Sequence, residues 1–423
     1  MTKHDRRMVL TLLVMVIAIV LVPVHLTKAR DANIKIAYIY QKNLWIHHNG
    51  QTTQVTENAK ASHPLWSHDG RWLAFQDGGP GGMIKVYNLR TEELKTITSH
   101  GSNLRWSPTA DILAYQSNNI LKVAKTEHLP GNDFKNLGVS LGVANYAWEP
   151  NGKGFLVSSQ SRLLPTGWDS VKLFKVPLNA NMNQSRSQLF YSLPKQSTDF
   201  FAVGTSQFKW SPTRDWIAFI AHPTASASAD SNTLAVLSKN ADTFIRLDKM
   251  LLNPDWFKWA PVGDKLAYID GTGRFAVKNK QLSVKEMPAA NQHTLTPKGF
   301  VDRDFTWIGS NEFVVARAKE QEWKNDPDQR ALPTLFYIDS QSGKQKQFVQ
   351  PQKGWGDFAP IYLRDGDQLL WVRSNRKKAK IWMANENGKN ARQVVNHIDT
   401  SLGYYEAYDW QNVVSIYRRG DAR

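Results

Sequence analysis

One short phrase returns eight times along the chain, and its first copy is HPLWSHDGRWLAFQD, His63 to Asp77. A Trp closes one extended run, a Ser-x-Asp-Gly turn follows, and a second apolar run begins. Later copies include LRWSPTADILAYQS, FKWSPTRDWIAFIA and FKWAPVGDKLAYIDG. The anchor position is Trp66, Trp106, Trp148, Trp210, Trp259, Trp307, Tyr362 and Trp410, at intervals of 40 to 62 residues. Strand-like units at such a period are the mark of a propeller or solenoid array.

Each unit carries four short runs rich in β-branched and aromatic residues, divided by turn residues such as Asp69-Gly70. Four short antiparallel strands make a small sheet with two faces to cover. Packing such sheets face to face around an axis covers both faces and leaves only short edges. The expected fold is therefore an all-β propeller of four-stranded blades, with the anchor indoles filling the space between neighbours. Eight anchors count eight blades; the Trp307 and Tyr362 units depart most from the phrase, and losing one would leave seven. The first stretch, IKIAYIYQKNLWIHHNGQTTQVT, has strands but no anchor phrase, whereas the last, YYEAYDWQNVVSIYRR, has an anchor phrase and nothing after it. That predicts a propeller over residues 30–423 whose ring closes by pairing its two ends.

Residues 1–29 read differently. A basic start (Lys3 to Arg7) precedes an uncharged, mostly apolar run from Met8 to Val24. This is a signal-anchor, or alternatively a cleavable signal peptide, although Lys28 and Arg30 make the Thr27-Lys28-Ala29 stretch a poor cleavage site. Either reading puts the propeller outside the cytoplasm, on the membrane by a single pass or released as a secreted or periplasmic protein. The chain has no cysteine, which excludes disulfides, Cys-ligated zinc and a lipidated N-terminal Cys. Its formal net charge is +16, of which the part beyond residue 29 carries +13. That bias suits lipid headgroups, wall polymers or an acidic protein. The densest basic cluster, Arg373, Arg376, Lys377, Lys378 and Lys380, is the candidate contact for an anionic partner; read blandly, it is a solvated hairpin turn. Export argues against nucleic acid.

Motifs for catalysis fail on context. Gly138-Val139-Ser140-Leu141-Gly142 fits a nucleophile elbow, but no helix follows it. Gly271-Thr272-Gly273-Arg274-Phe275-Ala276 fits a dinucleotide fingerprint, but falls where two strands of a blade should turn. His47 and His48 are adjacent and point to opposite faces of a strand. Asp365-Gly366-Asp367 lacks the further ligands of a calcium loop. Asp69, Asp264 and Asp365 fill the turn slot of their repeats, where an aspartate caps its own backbone. The expectation is no catalytic residue, no cofactor and no metal. Three segments break the repeat: residues 161–207, the small-residue stretch His222 to Asn232, which reads as a mobile loop, and Ala318–Pro333 with an exposed Trp323. Inserts of this kind gather on one face and either build a binding surface or merely decorate it.

The phrase Trp66-Ser67-His68-Asp69-Gly70 followed by Leu73-Ala74-Phe75 resembles the WD-like repeats of TolB-type β-propellers. Trp106-Ser107-Pro108 and Trp210-Ser211-Pro212 match its first half and lack the Asp-Gly. The resemblance spans roughly residues 34–419 and implies the fold more than the function. In that family it implies periplasmic partners of outer-membrane proteins; related propellers gate prolyl oligopeptidases. The expectation differs from both in having neither the small α/β domain of TolB nor a hydrolase domain. The expected function is a non-enzymatic, monomeric scaffold for protein partners in the bacterial cell envelope. The alternatives are a module binding an anionic wall polymer or glycan, and an enzyme working from the central channel.

Overall fold

A computed structural model describes residues 34–126, 134–288, 292–401 and 403–418. The segment 1–29 lies outside them. Among the described residues no helix is long and apolar enough to cross a membrane.

Eight antiparallel sheets of four or five strands follow one another along the chain. Blade 2 shows the plan: Ala61–Trp66, Trp72–Asp77, Met83–Asn88 and Leu94–Thr98 pair in sequence order. The first strands of neighbouring blades pack against one another, so they form the inner wall of the ring. Burial follows the sequence chemistry outward from there. The apolar second strand, Trp72–Asp77, is buried along its whole length. The polar outer strands Gln51–Gln54, Gln292–Thr294 and Gln345–Gln347 are exposed throughout. The apolar clusters lie between blades: Ala218, Leu234, Ala267, Phe305 and Val315 come from three successive sheets and share one cluster.

The anchor indoles do more than fill space. Trp106 donates from Nε1 to the Leu65 carbonyl (2.9 Å), Trp148 to Arg105 (3.1 Å), Trp259 to Lys209 (2.9 Å) and Trp307 to Lys258 (3.0 Å). Each acceptor is the residue just before the anchor of the preceding blade. A buried indole N–H needs such a partner, and here the partner fixes how one blade seats on the last. Trp210 breaks the series, its Nε1 buried without a partner. Its strand is split into Gly204–Thr205 and Lys209–Trp210. Tyr362 instead reaches Asp367 and Glu386 through its hydroxyl.

Blade 1 is built from both ends of the chain. Lys35–Tyr40, Asn43–His48 and Gln51–Gln54 supply its three outer strands, and Val414–Ile416 is the inner one. The register pairs Ile36 with Ile416 and Tyr38 with Val414. Here the expectation for Trp410 needs correction: it lies in a 3-10 turn, Trp410–Asn412. Trp66 pairs with Leu73 in blade 2, so Ile416, opposite Ile36, is the true anchor equivalent. Trp66 confirms this by donating to the Ser415 carbonyl, one residue before it. The stretch 222–232 is also not a loop throughout. Ala225–Asp230 is a short helix, Arg274 pairs with Asp230, and Asn232 is fully buried, donating to the Met250 carbonyl.

Candidate functional site

The hairpins between second and third strands, and the connections into each first strand, lie at one end of the ring. That end carries the long excursions: residues 159–171, 223–231, 271–280, 320–333 and 399–413. The last of these leads from blade 8, whose strands are Gly356–Leu363, Gln368–Ser374, Ala379–Asn385 and Arg392–Ile398, to the closing strand and runs beside the mouth of the channel. Tyr405 packs against Phe275 (5.0 Å) and Trp323 (5.3 Å), which themselves stack at 4.7 Å. Arg330 lies 3.7 Å over the Trp323 ring. Trp323 is therefore half-buried rather than exposed, because aromatic neighbours from two other segments cover it. Further on, Tyr408 and Trp410 stack at 5.3 Å and both pack on Phe358 of blade 8. Gln411 contacts Asp255 at the start of blade 6.

This closing strap also carries Glu406, whose carboxylate receives three guanidinium groups. Arg303 donates from Nη1 (3.0 Å), Arg330 from Nη1 (3.3 Å) and Arg376 from Nε (2.8 Å). None of the four is more than 8% exposed. Burial alone would raise the Glu406 pKa, but Arg303 and Arg376 outweigh it and hold the carboxyl below the usual glutamate range. Tyr405 and Glu406 both adopt left-handed φ, 51° and 66°, a costly conformation for residues with a Cβ.

Along the inner wall, Arg105, Lys209 and Lys258 each precede an anchor and reach toward the next blade. Arg105 lies over the Tyr146 ring (5.4 Å), Lys209 over Phe257 (4.5 Å) and Lys258 over Phe305 (4.8 Å). Lys209 also donates to the Phe257 carbonyl at 3.0 Å, and Lys258 to that of Phe305. The same contact recurs because the positions recur: a cation one before the anchor meets an aromatic two before the next. Burial pulls the Lys209 ammonium down to about 8. Asp304, close to Lys258, is pushed up to about 7 by its own burial. Bulges turn the inner strands of blades 2, 3 and 8, with His63, Asn103 and Ala359 at left-handed φ. Such bulges re-aim side chains at the rim of a ring.

The basic run of blade 8 divides. Arg373 is buried against Asp357 (2.6 Å) and Arg376 against Glu406, so neither is a surface contact for an anionic partner. Arg373 lies on a strand buried along its whole length, Gln368–Ser374, and Arg376 sits at left-handed φ in the hairpin that follows; each finds a carboxylate there. Lys377 and Lys378 are exposed, and Lys380 lies 5.4 Å from the Trp355 ring.

At the other end of the ring, Asp69 accepts from the Ser67 hydroxyl (2.7 Å) and the Arg71 amide (3.0 Å), which closes its turn. Gly70 has φ +67°, and a Cβ there would strike the Tyr417 ring at 2.8 Å. His68, Asp69 and Asp111 come close enough to share an ion. The Arg71 guanidinium pairs with both carboxylates, so the chain's own cation stands where a metal would.

The other motifs lie in the strands and turns of the blades. Ser140 ends the outer strand of blade 3, Phe134–Ser140, and no helix follows. The 271–280 loop wraps its carbonyls around the buried Lys280 ammonium: Thr272 and Gly273 accept at 2.9 Å, Lys278 and Asn279 at 3.1 Å. A dinucleotide loop would need amides pointing in. His47 and His48 pair across the strand with Ile36 and Lys35.

Blade count, order and ring closure define an eight-bladed β-propeller with an insert-bearing mouth. No protein-family model matches the chain, and no curated protein matches it. Solved structures of similar fold include a dihydro-heme d1 dehydrogenase (TM-score 0.57, 13% identity, 93% of this chain and 76% of that one). A eukaryotic initiation factor is similar at TM-score 0.55 and 14% identity, over 87% and 88% of the two chains. A puromycin hydrolase is similar at TM-score 0.52 and 12% identity, over 82% of this chain. This chain spans only 55% of that hydrolase. At such identities the likeness concerns the fold alone.

Proposed function

We propose that the chain is a non-enzymatic, TolB-like propeller held at the membrane by residues 1–29, acting as a protein-interaction scaffold in the bacterial cell envelope. The observation that carries this reading is the hairpin Leu163–Leu164 with Gly167–Trp168, which projects from the insert-bearing end. Leu163 is 67% exposed and Leu164 41%. Trp168 sits beside Phe201 with ring centres 6.4 Å apart. Apolar residues held out on a rigid hairpin, next to a half-buried aromatic pair, have the make-up of a docking patch. The charged groups of the inner wall support a structural rather than a chemical role for that region, since each is tied to a neighbouring ring, carbonyl or opposite charge.

A photo-crosslinker at position 163 of the full chain, used in membranes, tests the reading. It should capture one partner, and Leu163→Asp with Leu164→Asp should abolish co-purification of that same protein without unfolding the propeller. Unchanged co-purification would remove this hairpin from the docking surface. The second reading is a module for an anionic polymer, favoured by Lys377 and Lys378 in the open and Lys380 against Trp355. Salt-sensitive binding of wall polymer, lost in Lys377→Glu with Lys378→Glu, would favour it instead.

A further inference from the structure

The cluster around Glu406 is out of balance. Arg303, Arg330 and Arg376 bring three positive charges to one carboxylate, and among the described residues none of the three has an ion pair with a second one. Their remaining contacts are neutral. Arg303 donates to the Ala331 carbonyl (3.1 Å), Arg376 to that of Arg330 (2.8 Å), and Arg330 to those of Lys324 (2.6 Å) and Asn325 (2.9 Å). Carbonyl dipoles ease a surplus of buried charge without cancelling it, and an uncompensated buried ion is strongly unfavourable.

Two donor protons of the cluster also lack an acceptor. Arg303 Nε is buried with no acceptor, and the Tyr408 hydroxyl, whose oxygen faces the Arg376 guanidinium as donor, has no acceptor for its own proton. Both residues are more than nine-tenths buried. Buried donors of this kind are rare in native proteins and point to an acceptor that the chain does not supply. We propose that the channel mouth binds a small monovalent anion of halide size beside Glu406, accepting from Arg303 Nε–H and Tyr408 O–H. Two donors suit a halide. A phosphate would leave most of its oxygens unpaired here. The anion would neutralise part of the surplus and pin the strap that carries Glu406 and Tyr408 over the blade 7 and blade 8 loops.

Thermal unfolding of the full chain, titrated with sodium bromide against sodium gluconate at equal ionic strength, tests this. Bromide should raise the midpoint along a saturating curve, as mass action requires of a bound ligand. Gluconate, a bulky organic anion, should not. Tyr408→Phe should shift the bromide half-saturation point upward by about tenfold, the usual loss for one hydrogen bond to a charge. Crystals soaked in bromide should give an anomalous peak contacted by Arg303 and Tyr408, which settles the matter even if the variant folds poorly. Equal midpoints in the two salts, or bromide found only on surface lysines, would overturn the proposal.

Discussion

The Trp66 indole donates to the Ser415 carbonyl over 3.2 Å, joining positions 349 residues apart in sequence. It is the same bond that seats four other blades on their predecessors, and here it seats blade 2 on the closing strand. Trp66→Phe keeps an aromatic ring and strands the carbonyl, so it should cost about 1–3 kcal/mol. Trp66→Ala should cost about 3–5 kcal/mol, as removal of a large buried aromatic does. Urea titration of both variants separates hydrogen bond from packing; equal losses would deny the bond any separate weight.

Removing Val414–Arg418 should leave Lys35–Tyr40 with a bare inner edge. Its N–H and C=O groups can then pair with other chains. Sedimentation should show concentration-dependent association that the intact chain lacks. A variant that stays monomeric with an unchanged midpoint would mean that blade 1 holds without its inner strand.

Glu406→Gln keeps the shape of the side chain and removes the one negative charge among three buried arginines. Breaking a buried pair in this way should destabilise by about 3–5 kcal/mol at neutral pH. Because the folded protein holds this carboxyl below its ordinary pKa, the stability it provides is present above the ordinary glutamate value and disappears as pH falls through the depressed one. Wild type and variant should therefore converge in strong acid. A gap that stays constant down to the lowest pH would remove the charge from the explanation.

Asp304 should behave in the opposite sense. Burial raises its carboxyl to about 7, so between the ordinary aspartate value and that point the folded state holds a proton that the unfolded chain has lost. Stability then declines as pH rises through this window, by up to roughly 1.4 kcal/mol per pH unit, and levels off above it. Asp304→Asn should lose that slope and gain on wild type between pH 5 and pH 8. A parallel pair of curves would show that Lys258 already compensates the charge.

The repeat made the blades legible because period, turn and anchor are local properties of a few residues. Seven anchors could be placed that way. The eighth could not: Ile416 lacks an indole, while Trp410 supplies one six residues earlier inside a plausible phrase. Only the pairing of Ile36 with Ile416 distinguishes them, and pairing between chain ends leaves no local trace. The basic run of blade 8 misled for a related reason. Lysines 377 and 378 are on the surface as composition suggests, but Arg373 and Arg376 meet carboxylates sixteen and thirty residues away. Charge density along the chain does not reveal which side chains a hairpin turns inward. The Glu406 cluster was invisible for the same reason, since its members come from a strand, an insert, a hairpin and the closing connection.

The closing strand also has a consequence for biosynthesis. Blade 1 begins with Lys35–Tyr40 and is completed only by Val414–Ile416. A ribosome therefore makes the outer three-quarters of this sheet first and its inner quarter last, after every other blade has emerged. Domains generally fold as units during synthesis, but this ring cannot shut until Val414–Ile416 has left the ribosome. Until then the nascent chain is an open arc whose first sheet presents an unsatisfied edge. Any factor that shields Ile36–Tyr38 on the way out would be working against the time needed to synthesise the seven blades in between.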